Sequence, residues 1–172
     1  MKAIFIPDLE ADIFPEVSAA GFCLGDSLSS VMKLIGPVPL YESNADIHAR
    51  LRENVGWMGV RKKLGLNGGD VVTFTYMNGL VILAFECSET LYRIVVGPGY
   101  HGRFHDVGVG DYLLRLDEEF DLDFNDVDDE FLIVQNGSYV NGISFITDCR
   151  ASLIHVPDQI IERISVHNWA LR

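Results

Sequence analysis

Three groups of residues in this chain have the types and spacing to do chemistry. The densest is Asp117, Glu118, Glu119, Asp121, Asp123, Asp126, Asp128, Asp129 and Glu130, nine carboxylates in 14 residues, interleaved with Leu116, Phe120, Leu122, Phe124 and Val127. Carboxylates at this density either hold a hard cation or meet a cationic surface. Asp121-Leu122-Asp123-Phe124-Asn125 matches the first three ligand positions of an EF-hand loop. However, Asp126 stands where the loop needs glycine, and Leu132 where it needs the closing glutamate. Without that bidentate carboxylate the tightest ligand is missing, and no metal is assigned. Two readings remain: a polyanion mimic that fills a basic cleft on a partner, and a solvated face anchored by its aromatics. Asp117, Glu118, Asp121, Asp123, Asp126, Asp128 and Asp129 are the partner-binding candidates of the first reading.

The second group is Tyr100, His101, Arg103 and His105. The histidines are four apart, a metal-binding spacing only on a helix, and Pro98-Gly99 and Gly102 make the segment a loop. Tyr100 and Arg103 are assigned to an interaction surface, and a small enzyme using His101 and His105 is the rival reading. The third group is Arg50, Arg52, Arg61, Lys62 and Lys63, five of the 13 basic residues, around Trp57. Trp57 among glycines reads as an interface anchor, since an aromatic ring gives much contact for little lost entropy, with burial the alternative. Ser27, Ser29 and Ser30 sit at a helix start, Gly-x-Ser-x-Gly is absent, and Gly21-Phe22-Cys23-Leu24-Gly25 lacks the dinucleotide-loop spacing. No catalytic residue and no cofactor is assigned.

The bulk of the chain narrows the partners. Of 172 residues, 48% are apolar, enough for a core, and the net charge is −12. That charge disfavours nucleic acid and anionic membrane as partners and favours a basic protein. No apolar run reaches transmembrane length, and Met1–Asp8 has too short an apolar stretch for a signal core. Cys23, Cys87 and Cys149 are odd in number and widely spaced, so free thiols in the cytoplasm are expected.

These groups must be positioned by the elements between them. Ala3–Ile6 reads as a strand. Leu28, Val31, Met32 and Ile35 share one helical face, capped by Asp26 or Ser27 and stopped by Gly36-Pro37. Residues 41–70 read as a glycine-broken basic insert with a short helix through Ile47 and Leu51. Residues 71–85 form a hairpin about Asn78-Gly79, followed by a strand at Leu91–Val96. The order then recurs: a helix capped by Asp111, strands at 131–134 and 140–146 about Asn136-Gly137, and a strand at Ile160–Val166. A further strand is expected at Leu153–Val156. Arg93 falls level with Arg163, Ile94 with Ile164 and Val96 with Val166. The fold class is therefore α+β. Two tandem helix–hairpin–strand repeats, 1–97 and 98–172, share one core in an antiparallel sheet, or two adjoining sheets, with helices on one face.

Leu24-Gly25-Asp26-Ser27-Leu28 and Val109-Gly110-Asp111-Tyr112-Leu113, each leading into a helix and then a strand pair, resemble two families. One is the helix-plus-antiparallel-sheet module of β-lactamase inhibitor proteins and of the small lipoprotein of the outer-membrane assembly machine. The other is the set of acidic cytosolic immunity proteins of bacterial polymorphic toxin systems. The chain lacks a lipobox cysteine and a disulfide pair, which separates it from the first family. The second resemblance implies a non-catalytic inhibitor, monomeric or homodimeric, that neutralises a cognate toxin, plausibly a basic nuclease. A structural subunit that self-associates through its sheet face is the third reading.

Overall fold

Most β-branched and aromatic runs among the described residues become strands, and most of those strands join a single sheet. The computed structural model describes residues 5–64 and 68–172. Before the sheet, β1 (Ser18–Ala19) and β2 (Phe22–Cys23) form a two-residue ladder. Helix α1 (Leu28–Ile35) follows, with Ser27 as its cap: the Ser27 hydroxyl accepts from the Ser30 amide at 3.2 Å. Val31 and Ile35 are buried, while Met32, expected on the same face, is exposed.

The remaining strands are β3 (Leu40–Glu42), β4 (Trp57–Lys63), β5 (Asp70–Tyr76), β6 (Val81–Phe85), β7 (Leu91–Val96), β8 (Asp121–Asn125), β9 (Glu130–Gln135), β10 (Ser138–Tyr139), β11 (Ile143–Thr147) and β12 (Ile161–His167). They form one ten-stranded sheet. Val134 of β9 pairs with Asp121 of β8 and with Tyr139 of β10, so those two strands lie on opposite edges of β9. The order across the sheet is then β8, β9, β11, β12, β7, β6, β5, β4, β3, with β10 continuing beside β9 on the β11 side. The sheet is mixed, because β3 runs parallel to β4 while the other pairs are antiparallel. That corrects the expectation of a wholly antiparallel sheet.

The two central strands pair about Val95 and Ser165: Ile164 faces Val96, and Val166 faces Ile94. The β6–β7 ladder is bulged between Ala84 and Phe85, and the β11–β12 ladder between Ile146 and Thr147. One face of the sheet carries Phe131, Ile133, Ile143, Phe145, Ile164, Val166, Ile94, Val96, Val81, Leu83, Phe74 and Tyr76 in a continuous buried field. Phe22 of β2, Val31 and Ile35 of α1, and Tyr100, Phe104, Leu113, Leu116 and Phe120 from the connection between β7 and β8 close over it.

Several local expectations change. Residues 41–70, expected to be broken by glycines around one short helix, carry β3, α2 (Ile47–Glu53), β4 and the start of β5 among the described residues. Gly59 does not break β4. A Cβ there would stand 2.8 Å from Leu40 Cδ1 and 3.0 Å from Phe74 Cε1, so the glycine lets β3 and the Phe74 ring close on the strand. Helix α2 lines a groove with Thr75 and Ile82, which alternate with buried Phe74 and Leu83 and so face away from the main core. The helices therefore do not share one face. The helix expected after Asp111 is a 3₁₀ helix over Leu113–Glu118 without a side-chain cap. Asp111 instead accepts from the Gly108 amide (2.9 Å) and pairs with Arg103 and Arg115, each at 3.0 Å. Leu153–Val156 is a turn closed on the Ser152 carbonyl. Phe5 and Ile6 lie in no strand, and Ala3 and Ile4 fall outside the described residues.

Candidate functional site

The acidic run is placed by alternation along β8. Leu122 and Phe124 turn inward, and the Phe124 ring packs 4.9 Å from that of Phe131. Asp121 and Asp123, on the opposite side of the strand, are exposed, with Asn125 partly so. The two-residue spacing that resembled calcium ligands is thus the spacing of one strand face. Among the described residues, no three metal-ligating side chains converge. The turn after β8 is fastened by Asn125, whose Oδ1 accepts from the Val127 amide (3.1 Å) and whose Nδ2 donates to Asp128 Oδ2 (3.0 Å). Tyr139 donates its hydroxyl to Asp123 Oδ2 at 2.5 Å, and the carboxylate raises the phenol above its ordinary pKa.

Asp117, Glu118, Asp121, Asp123, Asp126, Asp128 and Asp129 are all exposed. Among the described residues, none of the seven has a basic side chain within 4.0 Å. Glu119 pairs with His105 Nδ1 at 2.8 Å. Among the described residues β8 is an edge of the sheet, paired only with β9. Against it lies a groove of about 680 Å³ lined by Leu122, Asp123, Phe124, Phe131 and the turn at 151–155. The edge offers exposed negative charge beside a groove of mixed lining, in which Leu122, Phe124 and Phe131 stand next to Asp123 and Asp126.

The ninth carboxylate behaves differently. Glu130 is buried, and its Oε1 accepts from Arg93 Nη2 at 2.5 Å while Oε2 accepts from the Ser144 hydroxyl at 2.5 Å. Arg93 also donates through Nε to Ser165 Oγ at 2.7 Å and lies 5.7 Å over the Trp169 ring. His167 stacks 4.6 Å from the same ring. Burial first, and the Arg93 charge second, push the His167 imidazole down to about 4, against a smaller opposing effect of Glu130. This polar cluster on the far face of β7, β12, β11 and β9 was not anticipated from the sequence. Its one signal was an arginine set among apolar residues in a central strand.

No family model matches the chain, and no curated protein matches it. Among solved structures it is similar to the crystal structure of the uncharacterized protein yfeY from Escherichia coli. The TM-score is 0.53 and the identity 13%, over 92% of this chain and 97% of that one. The two share a fold.

The remaining candidates divide. Trp57 is 5% exposed; its indole donates to the Phe5 carbonyl at 2.8 Å, and its ring packs edge-on to Phe22. Tyr100 is 3% exposed; its hydroxyl donates to the Ala11 carbonyl (2.5 Å) and accepts from the Ala20 amide (2.9 Å). Burial pushes that phenol up to about 12. Both residues tie the N-terminal segment to the core and offer no surface to a partner, which corrects their assignment. Arg103 is exposed and held by Asp111 and by the Asp106 carbonyl. His101 and His105 are exposed, with His105 turned to Glu119. Among the described residues, no helix is long and apolar enough to cross a membrane.

Proposed function

We propose that this chain is a non-catalytic binding protein of the immunity type, which neutralises a basic protein partner through the acidic edge around β8. The observation that carries the reading is the set of seven exposed carboxylates with no basic side chain within 4.0 Å among the described residues. Such a surface leaves its field available to a partner, speeds encounter and rejects acidic competitors. The Leu122, Phe124 and Phe131 side chains in the adjoining groove would supply the contact area that charge alone lacks. A toxin with a basic active site, a nuclease for example, fits that chemistry. In this reading the protein works in the cytoplasm as a monomer or homodimer and uses no cofactor.

The same proposal takes the two halves of the chain, 1–97 and 98–172, as tandem units on one shared core. The symmetric pairing of β7 with β12, and the bulges at matching places in the β6–β7 and β11–β12 ladders, support it.

The test is affinity capture with the product of the neighbouring gene co-expressed, at low and at high salt. The four-fold charge reversal at Asp121, Asp123, Asp126 and Asp128 serves as the comparison. A basic partner retained at low salt, released at high salt and lost by the variant is the expected result. A partner bound equally by the variant removes the acidic edge from the function.

A further inference from the structure

Arg93 and Arg163 hold matching places on the two central strands but meet different surroundings. Arg93 passes Ser165, which pairs with Ser144, and ends on Glu130. On the other side of the sheet centre, the positions that correspond to that serine pair are Val95 and Ile82. Among the described residues, Arg163 has no carboxylate within 4.0 Å. Its Nη1 donates instead to the Gly79 carbonyl at 3.1 Å. The guanidinium lies so close to the β5–β6 turn that a Cβ on Gly79 would come within 2.8 Å of Nη1, which fixes where the fork sits. A half-buried guanidinium without a counter-charge keeps most of its desolvation cost, and an anion placed on it recovers that cost.

Arg163 lines a groove of about 390 Å³, together with Thr75, Asn78, Gly79 and Ile82 from the sheet and His48, Leu51 and Arg52 from α2. Arg52 and His48 likewise have no carboxylate within 4.0 Å among the described residues. Two arginines and a histidine therefore converge on one groove in a chain of net charge −12. Leu51 and Ile82 add an apolar wall. The volume falls within the range of small-molecule sites, roughly 300–1,000 Å³. Guanidinium forks match the tetrahedral oxygens of phosphate in two-pronged fashion, and two of them with a histidine suit a dianion better than a single carboxylate.

We propose that the groove between α2 and the far face of β5, β6 and β12 binds an organic phosphate monoester, with Arg52, Arg163 and His48 on the phosphate and Leu51 and Ile82 on its organic group. The probe is phenyl phosphate, titrated calorimetrically into the full chain, with phenol as the uncharged control. Phenyl phosphate is expected to bind saturably at one site and phenol not at all. Arg52→Ala, on an exposed helix position, and Arg163→Lys, which keeps the charge and removes the fork, are each expected to weaken binding by about tenfold to a hundredfold. Lys33→Ala, on α1 and outside the groove, is expected to leave it unchanged. Absence of saturable binding overturns the proposal. So does wild-type affinity in both arginine variants, or a loss in Lys33→Ala equal to theirs, which would mean that any cation of the chain matters as much as those of the groove.

Discussion

Mild acid should destabilise this protein through His167. The imidazole ends β12, buried against Trp169 and beside Arg93, with Ser165 Oγ 3.5 Å from Nδ1 and Glu130 across the cluster. Its folded pKa is about 4 against an ordinary 6.5. At neutral pH the ring is neutral in both states and costs nothing. As pH falls below 6.5 the unfolded chain takes up a proton that the folded chain refuses, so stability drops until the folded ring also protonates near 4. That linkage gives a loss of about 2 kcal/mol near pH 5 and about 3 kcal/mol near pH 4. For a chain of this size the first figure lowers Tm by about 4–8 °C.

The comparison is with His167→Gln, which keeps every carboxylate and removes that imidazole. Thermal melts from pH 7 to 4.5 should show the wild type losing Tm faster than the variant, with the curves diverging from about pH 6.5 downward. A proton NMR titration of the ring should place its midpoint well below that of a free histidine. Parallel Tm curves, or a ring that titrates at the ordinary value, would refute both the burial of His167 and the effect assigned to Arg93.

Glu130→Ala leaves Arg93 and the buried Ser144 hydroxyl without their partner, and urea titration should show a loss of about 2–3 kcal/mol. The double variant Arg93→Met/Glu130→Leu should recover part of that loss, since an apolar pair removes the stranded charge. Tyr100→Phe deletes the link between Ala11 and Ala20 and should cost about 1–2 kcal/mol. In the wild type, ultraviolet titration should find one phenol that ionises only near 12. Ser27→Ala removes the α1 cap and should cost about 1 kcal/mol by the same urea assay, while Ser29→Ala, inside the helix, should cost less.

The strands were legible wherever local chemistry and tertiary position agreed. Asn78-Gly79 and Asn136-Gly137 take positive φ at the turns between paired strands, as their types require. The strands at Leu91–Val96 and Ile161–His167 stand within a residue of their expected positions, and Ser27 caps the expected helix. What failed to show were features set by contacts between distant segments. Gly59 looked like a breaker because the side chains that need its space, Leu40 and Phe74, lie on other strands. Trp57 and Tyr100 looked like surface anchors because the carbonyls that satisfy them belong to Phe5 and Ala11, 52 and 89 residues away. Nothing in the sequence marked Asp121–Asn125 as a strand, because acids are poor strand formers, yet pairing with β9 and the inward Leu122 and Phe124 outweigh that preference.

Glu130 shows the same limit within the candidate site itself. In the sequence it is the last of nine equivalent acids, and nothing in the run distinguishes it from Asp129 before it. In the fold, the step from the turn into β9 carries Glu130 beneath the far face, where Arg93 reaches it across two intervening strands. One residue earlier the same charge points to water. The division between the carboxylates offered to a partner and the one that holds the sheet together is therefore made by where β9 begins, and by an arginine 37 positions upstream. If the acidic edge binds a basic partner, reversing Asp129 should change association and its salt dependence, whereas removing Glu130 should change folding. The contrast between two adjacent residues tests the site and the fold in one experiment.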